Sequence, residues 1–166
     1  MLDIPSKIAA VTPLDGSVVV VGSANADLTV RVAAMPQPGQ TIHGGPLTTL
    51  PGGKSANQAA AAALLGAPTA FVGAVGMDDN GDFLAASLDA CGVDTGNLHR
   101  VKVATSCAII TVDARAENMI VVTEGANNQV DGEILDAARD ALTSAKAVGL
   151  ALEIPIETVI VAAQMA

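Results

Sequence analysis

The chain has 166 residues, 51% of them hydrophobic and 15% charged, which suits one globular domain with a core of ordinary size. Its 17 acidic residues outnumber its 8 basic ones, and a net charge of −9 with no basic cluster argues against nucleic acid or an anionic membrane as a partner. No apolar run approaches the ~18 residues that cross a bilayer, and the N-terminus lacks a secretory pattern. We therefore expect a cytoplasmic protein whose two cysteines, Cys91 and Cys107, are reduced.

The first fifty residues predict a tail followed by extended segments. Residues 1–16 contain prolines and little periodicity, which is typical of a loose N-terminal tail. A β-branched apolar run over 17–21 predicts a strand buried on both faces, and it ends at Gly22. Residues 28–32 and 41–50 are expected to be extended as well, with a proline-rich turn between them.

The next segment predicts helix, strand and helix. An alanine-rich stretch over 55–65 is the clearest helix of the chain, with Ser55 as its expected N-cap and Gly66 at its C-terminal end. Residues 69–75 form a second run typical of a buried strand. A second helix is predicted over 79–91, where apolar residues recur at helical spacing.

The last third begins with two neighbouring strand-like runs, 105–112 and 118–123, which predict a hairpin. A third helix is expected to begin at Asp131, and the apolar run 147–152 predicts a third buried strand. A fourth helix is expected from Pro155, because proline is tolerated in the first turn of a helix.

This alternation of strands and helices predicts an α/β fold with a parallel, Rossmann-like sheet between two helical layers. The hairpin and the segments over 28–50 are expected to form a smaller sheet outside it. The last helix is strongly apolar, and the sheet would end on a bare edge after Leu152. We therefore expect a fold that is truncated at this point, with apolar surface that favours self-association.

Three familiar site types are excluded by spacing. Gly53-Lys54 does not open a nucleotide-phosphate loop, because the glycine required five residues earlier is Thr48. The acidic run from Asp78 fails as a calcium loop, since Phe83 stands where that motif requires glycine. His43 and His99 have no companion ligands and are expected to be ordinary surface residues.

Polar residues at the ends of predicted strands give a better candidate site. Asn25 and Asp27 follow the first strand, and Glu153 follows the third. The carboxyl ends of parallel strands share one edge of a sheet, so these groups should meet the glycine-rich loop 52–57 in one crevice. Carboxylates, amides and approachable backbone suit a molecule with many hydroxyls. The alternative is that Asn25 and Asp27 only stabilise a local turn.

Five segments carry a resemblance to a known family. Together they resemble the N-terminal half of the phosphofructokinase-B carbohydrate kinases, and among these the ribokinases most closely. The segments are Gly22-Ser23-Ala24-Asn25-Ala26-Asp27, Gly52-Gly53-Lys54-Ser55-Ala56-Asn57-Gln58-Ala59, Gly66-Ala67, residues 73–81 and Glu124-Gly125-Ala126-Asn127. Residues 150–155 are also similar to the ribokinase segment that ends in a sugar-contacting glutamate. The chain departs from the family pattern at Ser55, where glycine is usual.

The resemblance implies a three-layer ribokinase-like sandwich in which residues 17–166 form the sugar-binding part. The residues implied to hydrogen-bond the sugar are Asn25, Asp27, Gly53, Lys54, Asn57 and Glu153. Segments 28–50 and 105–123 would form a β-sheet lid, which in ribokinases also builds a homodimer interface.

The resemblance also implies the reaction of the complete enzymes. They transfer the γ-phosphoryl group of ATP to the primary hydroxyl of ribose, with magnesium and a monovalent cation. The catalytic aspartate and the nucleotide pocket belong to a second half marked by Gly-Ala-Gly-Asp, a motif absent from this sequence. We therefore expect this chain alone to bind no ATP or cation and to be inactive. The alternative is a non-catalytic module for sugar binding or dimerisation.

Overall fold

The computed structural model describes residues 16–166, so the predicted tail 1–16 lies almost entirely outside the described residues. Over 16–166 the chain forms eight strands and five α-helices. The strands are β1 (Val18–Val21), β2 (Asn25–Arg31), β3 (Thr48–Gly52), β4 (Thr69–Gly76), β5 (Val93–Val101), β6 (Cys107–Val112), β7 (Asn118–Val122) and β8 (Ala147–Leu150). The helices are α1 (Lys54–Leu64), α2 (Asp79–Ala90), α3 (Gly132–Ala137), α4 (Arg139–Ser144) and α5 (Ile156–Met165), and a 3₁₀ turn spans Gly125–Gln129.

The larger sheet is parallel and has the strand order β5-β4-β1-β8. Because side chains alternate along a strand, β1 supplies both faces of the sheet. Val19 and Val21 pack with Leu135 against the layer that contains α3, α4 and α5. Val20 packs with Phe71 against the layer formed by α1 and α2. The predicted α/β sandwich of three layers with a parallel sheet is therefore confirmed.

The second sheet has the order β3-β2-β6-β7 and is called the lid below. Strands β2 and β6 pair in parallel, while β3 pairs with β2 and β7 pairs with β6 in antiparallel fashion. The Asp113 side chain closes the hairpin between β6 and β7 by accepting hydrogen bonds from the backbone N–H groups of Arg115 and Glu117, at 2.8 and 3.1 Å. A small sheet beside the parallel one, built from the segments predicted for it, is thus confirmed.

Several predicted boundaries are corrected. Strand β2 begins at Asn25 and not at Leu28, so both predicted polar residues of this segment lie in the lid. In the segment 41–50 only residues from Thr48 onward form a strand. The helix expected from Asp131 is capped there, but it is divided at Ala138 into α3 and α4.

One strand escaped prediction altogether. Strand β5 pairs with β4 at one edge of the parallel sheet and contains His99. Its residues are mostly polar and only partly buried, so the segment lacks the continuous apolar run that marked β1 and β4. None of the helices formed by residues 16–166 has the length and apolarity that crossing a bilayer demands.

Candidate functional site

The candidate site lies where the chain leaves the carboxyl end of β1 for the lid and returns from β3 into α1. Gly53 makes this crossing possible. Its φ of +94° is rarely adopted by other residues, and a Cβ there would lie 2.7 Å from the carbonyl oxygen of Ser23 and 2.8 Å from the Cα of Ala24. The two crossing segments therefore touch backbone to backbone, and the start of α1 is fixed beside the end of β1.

Glu153 lies at the start of α1 and is held by three donors. The Ser23 hydroxyl donates to its Oε2 at 2.6 Å, and the Lys54 backbone N–H donates to the same oxygen at 3.3 Å. The Lys54 ammonium group forms an ion pair with Oε1. Partial burial acts to raise the pKa of Glu153, but the hydrogen bonds from Lys54 and Ser23 outweigh it and hold the pKa below its ordinary value. Glu153 is therefore an ionised, oriented carboxylate.

Asp27 supplies a second carboxylate, with a different environment. It lies directly over Gly52, where a Cβ would come within 2.3 Å of its carboxyl carbon. Burial raises the pKa of Asp27, and the negative charge of Glu153 raises it further. No donor among residues 16–166 contributes a hydrogen bond that would offset these effects. The site thus contains one satisfied carboxylate and one that has acceptor capacity to spare.

Asn25 lies on the same face of β2 as Asp27, because the two are two residues apart in the strand. Its Oδ1 accepts a hydrogen bond of 2.7 Å from Nδ2 of Asn127, and Oδ1 of Asn127 accepts one of 3.0 Å from the backbone N–H of Ala24. Asn127 belongs to a segment that carried the family resemblance, but sequence reasoning gave it no role. No spacing rule connects residues so far apart in the chain.

Ser55 does not cap α1, contrary to the prediction from its residue type. The helix begins after Gly53 with no side-chain cap, while Ser55 is fully buried and its hydroxyl donates to the carbonyl oxygen of Val21 at 3.3 Å. The space that it enters is open only because residue 22 is glycine, where a Cβ would lie 2.1 Å from the Ser55 hydroxyl. The Ser55 side chain, which stands where the family usually has glycine, therefore points into the protein interior and away from the crevice.

The six predicted residues do not all meet through direct contacts. The structure brings together Lys54, Gly53, Glu153 and Asp27, and it places Asn25 beside Asp27 on β2. The sixth, Asn57, lies one helical turn into α1 with an exposed side chain. It lines a small apolar cavity between α1 and α2 that also contains Gly52 and Cys91.

Comparison with known proteins places this geometry in a family. Residues 15–166 match the family described as "pfkB family carbohydrate kinase". A ribokinase of Schizosaccharomyces pombe is 38% identical over 157 residues, which cover 90% of this chain and 49% of the relative. The chain therefore spans about half the length of this curated relative.

Solved structures of ribokinases also superpose on this chain. A ribokinase of Thermotoga maritima superposes with a TM-score of 0.83 at 34% identity, covering 90% of this chain and 49% of that one. An Arabidopsis thaliana ribokinase complexed with ribose and ATP superposes with a TM-score of 0.79 at 37% identity, covering 89% of this chain and 49% of that one. The chain belongs to the pfkB family of carbohydrate kinases and is ribokinase-like.

Proposed function

We propose that this chain carries the sugar-binding part of a kinase that phosphorylates the primary hydroxyl of ribose or a related sugar with ATP. The observation that carries the proposal is the Asp27 carboxylate, which is partly buried beside the ionised Glu153 and receives no hydrogen bond that offsets its burial from residues 16–166. A partly buried carboxylate in that state has acceptor capacity to spare, and sugar hydroxyl groups would donate to it.

The neighbouring groups complete a set that suits a polyol. The Asp27 carboxylate accepts hydrogen bonds, and the Lys54 ammonium group keeps donor capacity beyond its ion pair with Glu153 because an ammonium group has three N–H bonds. The glycine backbone at 52–53 lets a ligand approach closely. Asn25 adds an amide N–H donor, and Asn57 adds an amide group that donates and accepts. Support also comes from the ribokinase relative and from the related structure that contains ribose and ATP.

We propose further that the 166-residue chain does not transfer the phosphoryl group by itself. Phosphoryl transfer depends on positioning and on stabilisation of charge around the transferred group, and ATP with its metal ions supplies that group in a complete kinase. Among residues 16–166 no three His, Cys, Asp or Glu side chains are grouped so as to hold a metal ion. We therefore assign no step of the transfer to a metal ion held by residues 16–166.

Titration calorimetry of the purified chain with ribose, in the absence of ATP, tests the binding role. The wild-type chain should give a saturable heat, and the Asp27→Asn variant should bind about tenfold more weakly or worse, since it loses hydrogen bonds to a charged acceptor. Asp140→Asn, an exposed acidic residue in α4, is the matched control and should bind like the wild type. Absence of heat from the wild-type chain contradicts the sugar-binding role.

A coupled assay for ADP tests the second claim. The chain should form no ADP from ATP and ribose above the level of a blank without protein. Turnover by a preparation shown to be free of host kinase contradicts the claim that the chain is inactive alone.

A dimerisation role is the second candidate, because the lid exposes apolar side chains on both faces. By the register of β6 and β7, Ile109 and Val121 share one face, while Ile120 and Val122 lie on the other. All four are between 49% and 65% exposed. Sheets in soluble proteins usually cover at least one face, so we propose that the lid forms a homodimer interface.

Further self-association is proposed at the edge of the parallel sheet that β8 forms. Strand β8 pairs with β1 alone among the strands of residues 16–166 and so forms a sheet edge. Leu152, Ile156 and Ile160 beside it are 76%, 50% and 51% exposed. Light scattering that shows a stable monomer at all concentrations would count against both association proposals.

A further inference from the structure

The amide pair Asn25–Asn127 has a fixed polarity that can be deduced from one backbone group. A backbone N–H can only donate a hydrogen bond, so the Asn127 atom 3.0 Å from the Ala24 nitrogen must be its oxygen, Oδ1. The nitrogen of the same amide, Nδ2, must then be the atom that faces Asn25. Because Nδ2 can only donate, the Asn25 atom 2.7 Å away must be its oxygen.

This chain of donors and acceptors leaves the Asn25 nitrogen free. Its Nδ2 makes no hydrogen bond within residues 16–166, although the residue as a whole is only 6% exposed. In the same part of the chain, no fully buried side-chain nitrogen or oxygen lacks a partner. The Asn25 Nδ2 group therefore keeps some exposed surface, and Asn25 lies on the face of β2 that also carries Asp27.

Asn127 is itself locked in place. It is 5% exposed, and its backbone N–H donates to the Ser106 hydroxyl at 3.0 Å. That hydroxyl in turn donates to the carbonyl oxygen of Glu124. The segment is thus held from both its backbone and its side chain, so neither amide can turn over without losing a buried hydrogen bond.

We propose that Asn127 is a positioning residue that forces Asn25 to present an N–H donor to the sugar, two residues from the acceptor carboxylate of Asp27. Such a pair matches two neighbouring hydroxyl groups, one of which accepts from Asn25 while the other donates to Asp27. This inference rests on the proposed sugar-binding function. It adds a residue that touches no sugar but fixes the polarity of one that does.

Hydrogen exchange of side-chain amides tests the polarity without any ligand. In the free wild-type chain, labelled with ¹⁵N at asparagine, one Nδ2 proton of Asn127 should be protected while both Nδ2 protons of Asn25 exchange rapidly. Ribose should then slow exchange at Asn25. Protection of the Asn25 amide in the free chain overturns the proposal, because it shows that this nitrogen already has a protein partner.

The Asn127→Asp variant tests the consequence for binding. A carboxylate at residue 127 still accepts from the Ala24 N–H but cannot donate to Asn25. The Asn25 amide must then turn over, which places its oxygen in the crevice. We expect protection to appear at the Asn25 Nδ2 group and ribose affinity to fall by about tenfold or more.

Asn128→Asp adds the same charge at the next residue, which is exposed, and is the matched control. We expect it to stay within about twofold of the wild type, the residual effect of an exposed charge. If Asn127→Asp fails to fold, Asn25→Asp takes its place. That variant keeps the acceptor for Asn127 but removes the donor, so Asn127 should remain protected while ribose affinity falls.

Different results would contradict the sugar-binding role and the role of Asn127. If the wild-type chain gives no ribose heat, the proposed function is contradicted, and the exchange pattern of the free chain still decides whether Asn127 sets the polarity of Asn25. If ribose binds but Asn127→Asp binds as tightly as Asn128→Asp, the function stands and the positioning role is overturned.

Discussion

The parallel sheet and the lid are held together by different forces. Nearly every residue of β4 is buried, and apolar side chains cover both faces of the sheet. Strand β7 of the lid is exposed along its whole length. The lid is instead attached at its base by polar contacts, where Thr105 and Ser106 are 3% and 0% exposed. The parallel sheet with its flanking helices, called the body below, thus owes its stability to apolar burial. The position of the lid depends on a few hydrogen bonds.

The strongest of these attachments involves Asp78. Its carboxylate accepts from the backbone N–H and the hydroxyl of Thr105, at 2.8 and 2.5 Å, and from the Gly81 N–H at 2.8 Å. The Thr105 hydroxyl also accepts from the Gly76 N–H at 2.8 Å. The Asp78 and Thr105 side chains together therefore connect the end of β4, the start of α2 and the segment that leads into the lid.

Removal of a core aromatic ring should show the largest difference between the two regions. Phe71→Ala should lower the free energy of unfolding by about 3–5 kcal/mol, because the ring is completely buried between the sheet and α2. Met119→Ala in the lid, where the side chain is 59% exposed, should change it by less than about 0.5 kcal/mol. Urea unfolding followed by far-UV circular dichroism measures both, since the chain has no Trp or Tyr. Equal losses of unfolding free energy in the two variants would contradict the difference in packing between the parallel sheet and the lid.

Loss of the Asp78 attachment should have an intermediate effect that depends on pH. Asp78→Asn should cost about 2 kcal/mol near neutral pH through weaker capping of α2 and weaker bonds to Thr105. Burial acts to raise the pKa of Asp78, but the hydrogen bonds from Thr105 and Gly81 and the charge of Arg100 outweigh it, so the pKa lies below the ordinary 3.8.

A group whose pKa is lowered by folding stabilises the protein above its unfolded pKa and loses this contribution as the pH falls through its folded pKa. The difference between wild type and Asp78→Asn should therefore be complete above about pH 5 and shrink below pH 3.8. Urea titrations at several pH values measure it. Asp79→Asn, at an exposed neighbour, should cost only a few tenths of a kcal/mol. A difference that does not change with pH would contradict the role assigned to the Asp78 carboxylate.

A smaller effect is expected at Ser55. Ser55→Ala removes one buried hydrogen bond to Val21 and should cost about 1 kcal/mol, measured by urea unfolding. Ribose affinity, measured by calorimetry, should stay unchanged because the side chain points into the body. A change in ribose affinity without a change in stability would show that this hydroxyl reaches the sugar.

Charges on the lid should have the smallest effect on unfolding. Ile109→Lys combined with Val121→Lys places two lysines opposite each other on one face of the lid, and Ile120→Lys with Val122→Lys places two lysines two residues apart along β7 on the other face. Each pair should change the free energy of unfolding by less than about 0.5 kcal/mol, while one pair should convert a dimer to a monomer in light scattering. Dimers that persist in both double variants would exclude the lid as the interface.

The body could be predicted from sequence because its strands are continuous apolar runs. Strand β5 was not predicted for the opposite reason. As an edge strand with a half-exposed face, it has a polar composition that resembles a loop. Ser55 was assigned by residue type as a cap. Its true contact depends on the empty space beside Gly22, which no local pattern records.

The meeting of Asp27 and Glu153 could be predicted because the carboxyl ends of parallel strands share one edge. The partners that give each carboxylate its state could not. Ser23 contacts Glu153, and Asn127 contacts Ala24, although more than 100 residues separate the members of each pair. No pattern in the sequence indicates either contact.

The parallel pairing of β2 with β6 leads us to expect a particular order of folding. Between these two strands the chain builds β3, which joins the lid, and then α1, β4, α2 and β5, which belong to the parallel sheet and its helices. We therefore expect β2 and β6 to pair only after α1, β4, α2 and β5 have brought them together, since long-range pairing carries the entropy of closing the loop between them. We expect the lid to form last and to open first in hydrogen exchange, and we expect an isolated lid sequence not to fold.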